Sequence, residues 1–296
     1  MENRRRFSIQ AAAALLQNAH LKGFFTGRIW QGASKGVCVP GLNCYSCPGA
    51  VGACPIGSLQ SFLAARPIKL PYYVVGLLIF FGALLGRAVC GFLCPFGFLQ
   101  ELLHKIPFPK KLRGFRGERA LRRLKYLILV LLVVLPLFFA LTPFFCKYLC
   151  PAGTLAGVLL ALADAAVRPL LGGLFAWKAA VLLALVVLSL MIWRPFCKYL
   201  CPLGAFYGVF NRFALWRGRV DADRCVRCGA CAAACRMGVE PTENVNSAEC
   251  IRCGDCVRAC PHKALRMGVG EKSSGAKSSF SGASQEHIPA NDSNSD

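Results

Sequence analysis

Histidine and acidic residues are scarce in this 296-residue chain, which has four His and only 14 Asp and Glu against 35 Lys and Arg. Of His20, His104, His262 and His287, only His20 lies in an apolar stretch, so the facing pair that a membrane b-type haem needs is missing. His20 itself reads as an interfacial or packed residue. No Cys-x-x-Cys-His occurs, which excludes c-type haem. Neither a phosphate-cradling Gly-rich loop nor a dinucleotide fingerprint is present. Charged residues make up 17% of the chain and hydrophobic residues 55%, more apolar surface than a water-soluble domain can hide. A simple cytosolic enzyme is thereby excluded. The net charge of +21 would suit nucleic acid, but the basic residues sit between apolar stretches and not along one polar face. Positive-inside asymmetry of a membrane protein accounts for both features, so no nucleic-acid partner is expected.

Cysteine is what the chain has in excess. There are 18, and most fall in C-x2-C or C-x3-C groups suited to metal, unlike a secreted disulfide scaffold. Two near-identical runs stand near the C-terminus: Cys225-x2-Cys228-x2-Cys231-x3-Cys235 and Cys250-x2-Cys253-x2-Cys256-x3-Cys260-Pro261. Three closely spaced thiolates on one loop reach three corners of a cubane, while the fourth cysteine faces the other cluster. Cys225, Cys228, Cys231 and Cys260 are therefore expected to hold one [4Fe–4S] cluster, and Cys250, Cys253, Cys256 and Cys235 a second. Zinc sites space their C-x2-C pairs further apart. Arg236 stands where proline commonly follows the fourth cysteine, which loosens a turn but removes no ligand.

A second repeat lies upstream: Cys54-Pro-Ile-Gly, Cys94-Pro-Phe-Gly, Cys150-Pro-Ala-Gly and Cys201-Pro-Leu-Gly. The last three follow Cys90, Cys146 and Cys197 by four residues. Proline suits the first helical position, so each thiolate should sit at a helix N-terminus, where free N–H groups and the dipole favour an anionic cluster.

Three stretches meet the ~20-residue requirement for crossing a bilayer: residues 70–86, 126–145 and 174–193, the last holding only Lys178. Residues 7–25 form a weaker candidate, and residues 152–171, with Asp164 and Arg168, read as a partial or re-entrant helix. Asp164 is either a proton-relay or quinone-site residue or a helix-end or interfacial aspartate paired with Arg168, the second being favoured. Tyr72, Tyr73, Trp177 and Trp193 fit an interfacial aromatic belt. Nine Lys/Arg between residues 105 and 125, and Arg4, Arg5 and Arg6, put that loop and the N-terminus on the cytoplasmic side. Anionic lipid is a secondary contact for the basic run.

The expected fold is therefore mainly α: a polytopic transmembrane bundle over residues 1–210, with about four main spans plus a partial helix. An α+β bacterial-type 2[4Fe–4S] ferredoxin domain (211–270) and a disordered Ser/Gly/Asn-rich tail (271–296) follow. The location is the cytoplasmic membrane, multi-pass, with the ferredoxin domain inside. This topology pairs Cys90 and Cys94 with Cys197 and Cys201 as an inner cluster. It puts Cys146 and Cys150 on the outer side with Cys38, Cys44, Cys47 and Cys54. Cys47 and Cys54 complete the outer cluster there, and Cys38 and Cys44 form a disulfide or replace one of these ligands. About four [4Fe–4S] clusters result. A ~30 Å hydrocarbon layer would then separate inner from outer, too far for direct hopping, so a bound quinone or a cluster within the membrane is expected.

The C-x3-C-Pro pairs followed by two ferredoxin motifs resemble the NapH/NosR/CcoG-type membrane ferredoxins, and most of all the quinol dehydrogenase membrane component of periplasmic nitrate reduction. The likeness covers residues 70–267. It implies four main membrane helices, cytoplasmic ferredoxin clusters, and electron exchange with quinol or a redox partner protein. The cysteines at 38–54 and the Cys146/Cys150 pair are additions to that pattern, and no flavin-attachment domain is found. The resulting expectation is membrane iron–sulfur electron transfer, with a copper-type metal-assembly reductase and a structural membrane anchor as alternatives.

Overall fold

The computed structural model describes residues 4–65, 71–109, 111–112, 117–139, 143–164, 166, 169 and 172–269. The expected disordered tail (271–296) and Arg168 lie outside these. The helices are α1 (Arg4–Gln17), α2 (Lys22–Thr26), α3 (Pro55–Ala64), α4 (Tyr72–Leu85), α5 (Ala88–Phe92), α6 (Pro95–Lys105), α7 (Glu118–Phe139), α8 (Pro151–Ala163), α9 (Gly173–Met191), α10 (Pro195–Tyr199), α11 (Pro202–Phe210), α12 (Ala230–Ala233), α13 (Pro241–Asn244) and α14 (Asp255–Ala259). Strands β1 (Arg217–Val220) and β2 (Leu265–Gly268) form one antiparallel pair, with Arg217 opposite Gly268. The pair closes the C-terminal unit, joining the chain just before its first cysteine run to the chain just after its second.

The expected bundle of about four spans is corrected by the lengths of these helices. Among the described residues, only α9 is long and apolar enough to cross a membrane. Helix α4 has 14 residues, about 21 Å at 1.5 Å per residue, against a hydrocarbon core of about 30 Å. Helix α8 is shorter still, with 13 residues. Helix α7 has 22 residues, but its first two turns carry Glu118, Arg122, Arg123 and Lys125. Helix α1 is held by polar contacts with protein, because buried Arg6 makes a bidentate ion pair with Glu101, both bonds 2.9 Å. The left-handed Gly86 (φ +54°) ends α4 at Leu85.

The cysteine-bearing turns gather at the core. Helix α11 packs on α7, α6 on α9, α8 on α9, α1 on α6 and α3 on α7. Apolar side chains remain exposed along α4 (Tyr72, Tyr73, Phe80), α7 (Leu127, Val130, Phe138) and α9 (Trp177, Leu183). Trp193 departs from the expected belt, being buried between the guanidinium groups of Arg194 and Arg236.

Candidate metal centres

Each Cys-Pro-x-Gly begins a helix. Cys54, Cys94, Cys150 and Cys201 are the N-caps of α3, α6, α8 and α11, with proline in the first turn. Proline costs nothing there, and the glycine three residues past each cysteine turns its N–H back to the sulfur. Gly97 N donates to Cys94 Sγ at 3.4 Å and Gly204 N to Cys201 Sγ at 3.3 Å. The Gly57 and Gly153 N–H groups face Cys54 and Cys150 in the same way.

The C-terminal runs assemble into two quartets. Cys225, Cys228, Cys231 and Cys260 line one small cavity, and Cys235, Cys250, Cys253 and Cys256 line another, with apolar walls that include Met237, Val239 and Ile251. Each cavity thus takes three cysteines from one run and the last cysteine of the other. The loops repeat in conformation as well as in sequence. Arg227 and Arg252 are left-handed (φ 53° and 55°), and Gly229 and Gly254 (φ 76° and 79°) turn the chain into α12 and α14. Backbone N–H groups point at the remote sulfurs, from Val239 to Cys235 at 3.4 Å and from Ala264 to Cys260 at 3.3 Å.

Cys90, Cys94, Cys197 and Cys201 form a third, wholly buried quartet. Burial pushes the Cys90 thiol up to about 12; Arg87 pulls it down, and Cys94 and Cys197 add repulsion. Two buried arginines brace the halves crosswise. Arg87, three residues before Cys90, donates to the Cys197 carbonyl at 2.9 Å. Arg194, three residues before Cys197, donates to the Cys90 carbonyl at 2.6 Å. Gln100 Nε2 donates to Cys197 Sγ at 3.2 Å, while its Oε1 accepts from Phe196 N at 3.1 Å. The sequence reading missed these three residues, although the repeated Arg-x2-Cys-x3-Cys-Pro spacing was there to be seen.

Of the remaining six cysteines, the fold brings together Cys44, Cys54, Cys146 and Cys150. Burial raises Cys146 to about 12, reinforced by repulsion from Cys54 and Cys44. Cys150 is raised in the same manner by burial and then by Cys146, Cys44 and Cys54. Cys47, expected in this quartet, lies beside Cys44 and Lys35, and its thiol donates to Asn18 Oδ1 at 3.7 Å. Cys38 is pinned by a backbone bridge to Ala53 and donates to Ser58 Oγ at 3.5 Å. No disulfide joins Cys38 to Cys44, and all 18 thiols are free.

The expected separation of the third and fourth quartets by a hydrocarbon layer is corrected as well. The loop bearing Cys44 packs onto the turn bearing Cys94: a β-carbon at Gly41 would stand 2.9 Å from Cys94 Cα. Buried Tyr207 borders both sites, its hydroxyl raised by burial and then by Cys90, Cys94, Cys54 and Cys201, while donating to Pro40 O at 3.0 Å. The loop and its partner turn meet because Tyr207 and Gln17 tie them together, Gln17 Nε2 donating to Leu93 O at 2.7 Å.

The C-terminal unit docks on the third quartet. Glu249, next to Cys250, pairs with Arg87 at 2.9 Å and with Lys125. Arg252 donates to Leu85 O at 3.0 Å and to Asn211 O at 2.6 Å. Gly91 lies so close to Ile251 that a β-carbon would meet its carbonyl oxygen at 2.4 Å. His20 and Asp164 stand apart from the quartets, His20 Nδ1 on Pro48 O at 2.9 Å and Asp164 Oδ1 accepting from Ala166 N at 2.9 Å.

The donor sets fit iron–sulfur clusters. They are all thiol, backbone N–H groups face the sulfurs, and two quartets ring a cavity. Among the described residues, no three such side chains converge tightly enough to hold a single ion.

Comparison with known proteins agrees with this chemistry. A family profile described as a 4Fe-4S binding domain matches residues 70–116, 124–167 and 174–220, and a 4Fe-4S dicluster domain matches residues 217–261. An uncharacterized protein of Methanocaldococcus jannaschii, MJ0750, is 30% identical over 65% of this chain and 76% of its own length. The methylamine utilization ferredoxin-type protein MauN of Paracoccus denitrificans is 33% identical over 60% of this chain and 58% of its own. The putative electron transport protein YccM of Escherichia coli is 30% identical over 60% and 48%. No solved structure matches. The chain therefore belongs to the family of ferredoxin-type 4Fe–4S proteins that includes MJ0750, MauN and YccM.

Proposed function

We propose that this chain is a membrane-attached electron relay holding four [4Fe–4S] clusters in series. Cys225, Cys228, Cys231 and Cys260 would hold the first, and Cys235, Cys250, Cys253 and Cys256 the second. Cys90, Cys94, Cys197 and Cys201 would hold the third, and Cys44, Cys54, Cys146 and Cys150 the fourth. When bound, such clusters supply one-electron transfer. The chain's own part is to fix their order and exclude water between them. The observation that carries this reading is continuity. Cys256 and Cys231 share one buried cluster, Glu249 beside Cys250 pairs with Arg87, and Arg87 donates to the Cys197 carbonyl. Tyr207 then touches the surroundings of both remaining quartets.

The two ends of the series favour different partners. In the first quartet Cys228 is exposed, and beside Cys235 of the second quartet a cleft of about 750 Å³ is lined by His104, Lys111, Arg236 and Arg258 with Asp255 as its acid. An acidic redox protein is the partner that this charge fits. At the other end, an apolar cavity of about 180 Å³ adjoins Cys44, Phe96 and Leu155, and a smaller one beside it reaches Gln100 and α9. A quinone is the partner that suits this end. The exposed apolar face of α9 favours contact with lipid.

Iron and acid-labile sulfide analysis of anaerobically purified protein, with EPR, tests the count. About sixteen iron atoms per chain are expected. A value near eight, the content of the C-terminal quartets alone, would overturn the four-cluster relay.

A further inference from the structure

The third and fourth quartets share more than Cys-Pro-x-Gly. The first helix of each begins with the same frame, Cys54-Pro-Ile-Gly-Ser-Leu-Gln60 in α3 and Cys94-Pro-Phe-Gly-Phe-Leu-Gln100 in α6. Both glutamines are buried, Gln60 at 0% and Gln100 at 2% exposure. Both carboxamide oxygens accept a backbone N–H from the turn that carries the partner C-x3-C pair. For Gln100 the donor is Phe196 N, at 3.1 Å, and for Gln60 it is Cys146 N, at 3.4 Å. These bonds fix which end of each amide is oxygen, because a backbone N–H can only donate.

The difference lies at the other end of the amide. Gln100 Nε2 donates to Cys197 Sγ, whereas Gln60 Nε2 is buried without a hydrogen-bond partner. A buried donor left unmade is destabilising. What lies nearby is the Cys146 sulfur, 3.8 Å from where a β-carbon of Gly57 would stand, and Gly57 is one helical turn before Gln60 on the same face.

We propose that Gln60 Nε2 is the sulfur-directed hydrogen-bond donor of the fourth cluster, the counterpart of Gln100 at the third. Each amide would stabilise the more negative, reduced form and so raise that cluster's potential. The surroundings otherwise differ in charge. The third site has Arg87 and Arg194, both fully buried, while Pro143 occupies the matching place before Cys146. The fourth site has Lys178, whose Nζ donates to Cys146 O at 3.3 Å, and Lys35, which acts on Cys44.

This inference rests on the four-cluster reading, and its test separates the two. Wild-type protein labelled with ¹⁵N in the glutamine side chain, reduced stepwise, should show a ¹⁵N hyperfine coupling at two clusters. Gln60→Met should remove one coupling and shift that cluster's midpoint negative, leaving the other midpoints in place; Gln100→Met should do the same at the second. A wild-type iron content near twelve removes the fourth cluster and the relay reading with it. A content near sixteen with ¹⁵N coupling at only one cluster overturns the role of Gln60 alone. So does a fully loaded Gln60→Met protein whose midpoints are all unchanged.

Discussion

A cysteine sulfur in this chain is defined by what faces it. Cys44 and Cys47 are three residues apart on one loop, yet Cys44 stands against Cys54, Cys146 and Cys150 while Cys47 stands against Asn18. Replacing Cys44 with serine should therefore lower the iron content by about four atoms per chain. Cys47→Ser should leave it unchanged, because its thiol is turned to the Asn18 amide oxygen. Equal loss in both variants, measured by iron and sulfide analysis, would refute this assignment. The arginines act at the same scale. Arg87 and Arg194 brace opposite halves of the third quartet through the Cys197 and Cys90 carbonyls, so one side chain serves both as a cation near the sulfurs and as a structural tie. Glu101 neutralises part of that charge, pairing with Arg194 at 2.9 Å and also with Arg6. Removing one partner from so buried a pair typically costs about 3–5 kcal/mol.

At the scale of elements, short helices do the positioning. Helices α3, α6, α8 and α11 each start at a Cys-Pro, which brings four N-termini to the core, Cys94 and Cys201 at the third quartet and Cys54 and Cys150 at the fourth. The joint between the C-terminal unit and the third quartet depends on close backbone approach. A β-carbon at Gly91 would meet the Ile251 carbonyl at 2.4 Å, and backbone cannot swing aside as a side chain does. Gly91→Ala should cost about 1–3 kcal/mol of docking. Magnetic coupling between the second and third reduced clusters, seen as EPR broadening, should weaken. Preserved coupling in that variant would mean that the joint tolerates the extra carbon.

Across the whole molecule, the apolar surface and the metal sites are segregated. Helix α9 presents Leu183 at 65% exposure in mid-span, while the quartets lie in the packed core and the C-terminal unit. An arginine at the centre of an inserted helix costs about 2.5–3.5 kcal/mol. Leu183→Arg should thus shift the protein from liposome-bound to free fractions in flotation, with its iron content unchanged. Undiminished flotation would show that α9 is not the attachment.

The grouping of the ferredoxin cysteines around two cavities was legible in the sequence, because three neighbouring cysteines and one remote one leave a local signature in spacing. Cys-Pro-x-Gly was legible for the same reason, since an N-cap and its proline are contiguous in the chain. Span number was not: counting apolar residues ignores where a glycine ends a helix, as at Gly86, and where a buried ion pair ties a helix to protein, as at Arg6. Nor could spacing choose Cys44 over Cys47, or set the third and fourth quartets side by side. Those outcomes depend on contacts such as Tyr207 with Pro40 and Gln17 with Leu93, 167 and 76 residues apart. Local chemistry was written in the order of residues, and the path between sites was decided only when distant segments packed.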